Sequence, residues 1–222
     1  MATHVPLDKR SIQDAGACMR LGYLRCLERG KSDQKAPSAA EQILLRYGRQ
    51  VGALARWGFP GGLLIAGETF ADALVETRQA LDAGARILFE PAFALDGVAM
   101  RADVLVRRRP LELDLIEVKA ATKPDDYVED LAVQVWVLEG LGHKVRPHLM
   151  LLDPKATLSS KSLFKRHDCG ERVRALLPEV GRRVRELRDQ VMAGRQPDVP
   201  FTRACRDCEF LGGCIPGLPE HS

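Results

Sequence analysis

The sequence predicts a mixed α/β fold on three observations. Apolar residues recur at helical spacing in the first eighty residues, between 126 and 141 and again between 171 and 193. Between 85 and 153 lie runs of apolar residues short enough for strands, one pair of them joined by Asp96-Gly97. The last 29 residues carry prolines and three closely spaced cysteines in place of any periodic pattern. The order is helices, three strands, one helix, one strand, a long helix and a cysteine-rich tail.

Each element has a local reason. Ser11 is an N-cap candidate for a first helix running to about residue 29, with Gly30 as its stop. Residues 31–37 are polar and loop-like. Ser38 and Glu41 form a capping-box pattern, and Ile43, Leu44, Tyr47, Val51 and Leu54 follow as one helical stripe ending near Gly58. Residues 59–62 read as a turn. A third helix is expected from Thr69 to Asp82, closed by Gly84. Strands are expected over 85–95 and 98–108, with Asp96-Gly97 as the hairpin turn, and over 113–120 after the turn at Arg109-Pro110. Residues 122–126 form a loop, 126–141 a helix with Gly142 just past its end, and 146–153 a fourth strand. The helix over 171–193 is expected to break at Pro178. Its arginines are matched at i,i+4 by Glu179, Glu186 and Asp189, which reads as a solvated, self-paired helix rather than a DNA face.

Composition sets outer limits. The chain has 222 residues, 45% hydrophobic and 28% charged, as expected of one globular domain. A net charge of +3 permits a nucleic-acid partner without arguing for one. No apolar run approaches the roughly 18 residues of a membrane span, and the N-terminus lacks a signal-peptide core. A cytoplasmic location is therefore expected. In a reducing compartment six cysteines favour metal ligation over disulfides.

The chemistry concentrates in the strands. Glu90, Asp103, Glu117 and Lys119 interrupt apolar strand segments, where a charge is costly unless paired or bound to metal. Glu117 and Lys119 are two residues apart and so share a sheet face. If 98–108 pairs with 113–120, Asp103 comes close to Glu117. Two carboxylates with oxygen donors and open coordination positions suit Mg²⁺ or Mn²⁺, and a lysine beside them suits phosphodiester hydrolysis. A cross-strand salt bridge is the plain alternative.

Cys205, Cys208 and Cys214 supply three thiolates and leave one tetrahedral position for Cys18 or Cys26, which lie too far apart on their helix to serve together. A [4Fe–4S] cluster and a structural Zn²⁺ both fit this chemistry. Cys169 has no partner at ligand spacing.

Taken together, these features resemble the RecB-like branch of the PD-(D/E)XK nucleases that carry an iron–sulfur cluster, including the CRISPR-associated RecB-like exonucleases and the nuclease domain of AddB. The likeness rests on ILFEPAFALDGVAMRADVLV, LIEVKAAT and DDYVEDLAVQVWVLEGLG, together with one early cysteine and a terminal C-x₂-C-x₅-C. It implies a single nuclease domain over 1–222 with a restriction-endonuclease-like three-layer core at about 38–153. A cluster module at about 11–30 and 195–216 would join N-terminal helices to tail. It implies Asp103, Glu117 and the Val118 carbonyl as metal ligands, Lys119 as catalytic lysine, and Glu90 and Gln134 as further site residues. Cys18, Cys205, Cys208 and Cys214 would hold the cluster, Cys18 being preferred because Cys18-Met19-Arg20 looks like the family's C-P-R element. The implied substrate is single-stranded or end-bearing DNA, with protein partners of a DNA-processing or CRISPR system. Two departures stand out: Gly52 occupies the place of a metal-binding histidine, and Leu138 that of a tyrosine four residues after Gln134. Two rival expectations are a catalytically inactive DNA- or protein-binding module on the same fold, and a zinc-stapled protein with no nucleic-acid role.

Overall fold

A computed structural model describes residues 7–29, 38–157, 160 and 162–214. The expected stop at Gly30, the loop 31–37 and the tail prolines Pro216 and Pro219 lie outside the described residues.

A two-residue strand β1 (Leu7–Asp8) leads into α1 (Lys9–Ala17), and α2 (Met19–Arg29) follows at once. The single helix expected from Ser11 is thus two. Cys18 between them is extended, with φ −160° and ψ 120°, which ends the first hydrogen-bond ladder. The N-cap is Asp8. Ser11 is its capping-box partner at the third helical position, donating its N–H to Asp8 at 2.8 Å. After residue 37 come α3 (Ala39–Arg56), β2 (Leu63–Leu64) and α4 (Phe70–Asp82). Capping boxes begin both helices, Ser38 with Glu41 as expected and Thr69 with Asp72.

The expected strands over 85–95 and 98–108 are each cut in two, giving β3 (Ile87–Phe89), β4 (Ala92–Leu95), β5 (Val98–Arg101) and β6 (Val104–Arg109). Both cuts fall at the same level. Pro91 has no N–H to give a ladder, Glu90 takes φ +56°, and Ala102-Asp103 faces them. The bridging bonds are Glu90 N–H to the Asp103 carbonyl at 3.2 Å and Ala102 N–H to the Pro91 carbonyl at 3.0 Å. The chain steps here from a six-stranded sheet into a three-stranded one. The Asp96-Gly97 turn joins β4 to β5 as expected, with φ +49° and +82°.

The remaining elements are β7 (Glu112–Lys119), α5 (Val128–Gly140), β8 (Lys144–Leu152), β9 (Phe164–Asp168), α6 (Gly170–Met192) and α7 (Leu211–Cys214). The large sheet has the order β2-β3-β6-β7-β8-β9 and the small one β1-β5-β4. In the large sheet β2/β3 and β7/β8 are parallel, the other pairs antiparallel. Alternation on β7 sends Leu113 and Leu115 into a core with Leu131, Val135 and Leu138 of α5. Ile116 and Val118 face the other way, toward Val51 and Ala55 of α3. A helix layer therefore covers each face of the large sheet. α6 runs through Pro178 without the expected break, because Val173, Val180, Val184 and Leu187 bury one continuous stripe on either side of the proline. Its Arg183 is buried, not solvated. It reaches the Ile12 carbonyl at 3.3 Å and pairs with Glu129. Among the described residues no helix is long and apolar enough to cross a membrane.

Candidate active site

The step between the two sheets places Asp103 beside β7. The register Val104↔Ile116 extends to set Asp103 opposite Glu117, on the α5 side of the sheet. Where β6 stops, the Val118 N–H loses a ladder partner. The Asp103 carboxylate accepts it instead, at 2.6 Å.

α5 supplies the roof of the site. Gln134, fully buried, donates from Nε2 to Glu117 Oε2 at 2.6 Å. Asp130, one helical turn earlier, faces Lys119. Lys119 Nζ lies 2.7 Å from Glu117 Oε1 and 2.9 Å from Asp130 Oδ2. A second lysine completes the ring: Lys9 Nζ lies 2.9 Å from Glu117 Oε1 and 2.8 Å from Asp130 Oδ1. Lys9 and Asp130 were not singled out from the sequence. Lys9 is 108 residues from Glu117 along the chain, and only the docking of α1 against α5 unites them. Asp130 left a signal, an acid four residues before Gln134 on the same helix side.

Glu90 is more distant. Its carboxylate binds Arg56 of α3 at 2.9 Å and adds negative potential at Asp103. Its left-handed backbone is unusual for a residue with a side chain and marks the rim of the site.

The charges settle unequally. Burial alone would raise the Glu117 acid, but the ammoniums of Lys9 and Lys119 and the Gln134 amide outweigh it and hold its pKa near 2. Burial works against the Lys119 cation as well, yet Glu117 and Asp130 raise its pKa and keep it protonated. Asp103 is pushed up to about 8, by burial first and the Glu117 charge second, against the pull of the Val118 N–H. Lys9 and Lys119 compensate Glu117 and Asp130, and Arg56 compensates Glu90. Among the described residues Asp103 has no cation within salt-bridge reach. The Asp103 carboxyl and the Glu117 carboxylate, side by side, are hard oxygen donors. In donor type they suit Mg²⁺ or Mn²⁺. No third His, Cys, Asp or Glu among the described residues joins them at metal-holding distance.

Four of the cysteines lie apart from this site. Cys18, Cys205, Cys208 and Cys214 all line one cavity of about 490 Å³ between the α1–α2 kink and the tail. The kink turns Cys18 toward this cavity. Cys26 is 1% exposed and packs in the core beside Ser11 instead. All six thiols are free, and no three of them converge on a single point among the described residues. The tail is tied to the helices by polar contacts. Arg20 donates to the Pro197 carbonyl at 2.8 Å. Arg25 lies between Asp14 at 2.8 Å and Glu209, its guanidinium 4.8 Å from the centre of the Phe210 ring.

No family model matches the chain, and no curated protein matches it. Among solved structures the chain is similar to the alkaline exonuclease LHK-Exo from Laribacter hongkongensis, at 13% identity over 86% of this chain and 92% of that one, with a TM-score of 0.48. The same protein in complex with dAMP aligns at 14% identity over 86% and 93%, again with 0.48. SSO0001 aligns at 14% identity over 92% and 98%, with a TM-score of 0.34. These are distant likenesses, and the reading of the site rests on its own residues.

Proposed function

We propose that this chain is a metal-dependent DNA nuclease that hydrolyses phosphodiester bonds, acting on single-stranded or end-bearing DNA. One observation carries the reading: Asp103, Glu117 and Lys119, read from the sequence as a catalytic set, lie together at the step between the sheets, with Gln134 bound to Glu117. Asp103, Glu117 and the Val118 carbonyl would hold Mg²⁺ or Mn²⁺. When bound, the ion supplies Lewis acidity and a water of lowered pKa. The chain's own residues do the rest. Gln134 and Lys9 fix the Glu117 carboxylate, so that one rotamer is presented. Lys119 stays a cation and therefore serves as a donor to negative charge developing on the phosphoryl oxygens rather than as a base. Asp130 holds the Lys119 ammonium in place.

The four cavity cysteines would hold a [4Fe–4S] cluster, with Zn²⁺ as the alternative, stapling the N-terminal helices to the tail so that the whole chain behaves as one unit. Free thiols of this kind suit a cytoplasmic setting.

The test is cleavage of labelled single-stranded and duplex DNA by anaerobically prepared protein with Mn²⁺, beside Lys119→Ala. Lys9 still pairs with both carboxylates in that variant, so it should fold and bind DNA while losing cleavage. Normal cleavage by Lys119→Ala would overturn the mechanism. A second reading, a DNA-binding module without cleavage, is favoured by the lack of a third metal-ligating side chain among the described residues. A folded, iron-loaded parent that binds DNA without cutting it would select that reading.

A further inference from the structure

α3 packs on the sheet only through its C-terminal half. Val51 and Ala55 are buried, whereas every residue from 39 to 50 is exposed. A helix that buries so little owes its outer face to something other than the core. That face is specific. Arg46, Arg49, Ala53 and Arg56 recur at i, i+3, i+7 and i+10, opposite to Val51 and Ala55, and Trp57 continues the line at the C-cap. The stripe carries three arginines and no acid. Among the described residues Arg46 and Arg49 have no carboxylate partner, and a groove of about 450 Å³ runs beside them past Gln42 and Ile43.

Trp57 is 83% exposed, the most open large apolar side chain among the described residues. One exposed tryptophan at the end of an arginine stripe combines a cationic track with a stacking surface. The stripe also has a direction. Its last arginine, Arg56, binds Glu90 at 2.9 Å, and Glu90 bears on Asp103. Arg46 and Trp57 are about 16 Å apart along the helix, the span of a few nucleotides, and the Trp57 end is tied through the Arg56–Glu90 ion pair to the sheet step at whose far side the carboxylates lie.

Resting on the nuclease reading above, we infer that the outer face of α3 is the track for a single-stranded nucleic acid. Backbone phosphates lie on Arg46 and Arg49, and a base stacks on Trp57, at the helix end that Arg56 ties to Glu90 on the rim of the site. A basic helix with apolar flanks would also suit an anionic membrane. The ion pair of Arg56 with Glu90, at the rim of the carboxylate site, is what favours the nucleic acid.

The test measures binding of labelled oligothymidylate by fluorescence anisotropy across a salt series, without added divalent cation. It compares the parent with Arg46→Ser/Arg49→Ser and with Trp57→Ala, all three lying on exposed positions. The double variant should bind more weakly, with the slope of log K against log salt reduced by about 1.4, roughly 0.7 per lost phosphate contact. Trp57→Ala should weaken binding on the order of tenfold with an unchanged slope. Parent-like affinity and slope in both variants would overturn the track. So would loss of binding to phosphatidylserine vesicles with oligonucleotide binding intact, which would assign the face to a membrane. Cleavage with Mn²⁺ separates the two readings. A parent that cuts, with variants that bind and cut equally, leaves the nuclease standing and removes the track. Weakened binding in the variants with no cutting by the parent keeps the track and removes the nuclease.

Discussion

At Asp103 two demands conflict. Burial and the neighbouring Glu117 charge favour the neutral acid, with a pKa of about 8, whereas metal ligation needs the anion. In the folded state Asp103 keeps its proton between about pH 4 and 8, and the unfolded chain releases it over the same range. Its contribution to stability is therefore present at low pH and lost as pH rises through about 8. Glu117, held near 2, works in the opposite sense: its contribution is present above the usual glutamate range and lost on acidification toward 2. Asp103→Asn should raise the thermal midpoint near pH 8 and flatten the fall between pH 5 and 8, while abolishing cleavage. An unchanged midpoint-against-pH curve would show that Asp103 is not a strained acid. Mn²⁺ should in turn raise the midpoint of the parent more at pH 8 than at pH 5.5, and fail to do so in Asp103→Asn. Of these residues, the strand alternation already made Glu117 and Lys119 legible as a pair. Lys9 and Asp130 were not, because neither lies in a motif and both are joined to Glu117 only through helix docking.

Among the elements, α3 and the broken strands show where local rules hold and where they yield. Ser38-Glu41 started α3 as its pattern required, since a capping box is satisfied within four residues whatever surrounds it. Gly48 and Gly52 sit inside that helix, and a methyl group at either would meet nothing within 4 Å. Gly48→Ala and Gly52→Ala should each raise stability by about 0.5–1 kcal/mol, read as a shift in the denaturant midpoint at constant slope. Destabilisation would mean that the helix is not free on that side. The strands around Pro91 are the opposite case. Apolar runs over 85–95 and 98–108 read as continuous because alternation reports burial, not which sheet does the burying. The step at Glu90 and Asp103 exists because two sheets share one hairpin, and it is this step that opens Asp103 toward Glu117.

Across the whole molecule, α1 links the carboxylate site to the cysteine-lined cavity. It holds Lys9 at one end, in the carboxylate site, and Cys18 at its C-cap, on the cysteine cavity. Cys208→Ser should lower iron content, reduce the thermal midpoint and loosen α1, which limited proteolysis near the N-terminus would detect. Unchanged iron and stability would refute the ligand assignment. The sequence by itself determined what short range can decide: the capping boxes, the Asp96-Gly97 turn, the shared face of Glu117 and Lys119, and the close spacing of Cys205, Cys208 and Cys214. Each depends on bonds or periodicities spanning at most a few residues. Only the tertiary structure decided the kink at Cys18, the continuous α6 through Pro178, the division into two sheets and the ring of Lys9, Glu117, Lys119 and Asp130. Those outcomes depend on which surfaces are buried against which. A helix or strand accepts a local penalty when packing across long chain separations returns more than it costs.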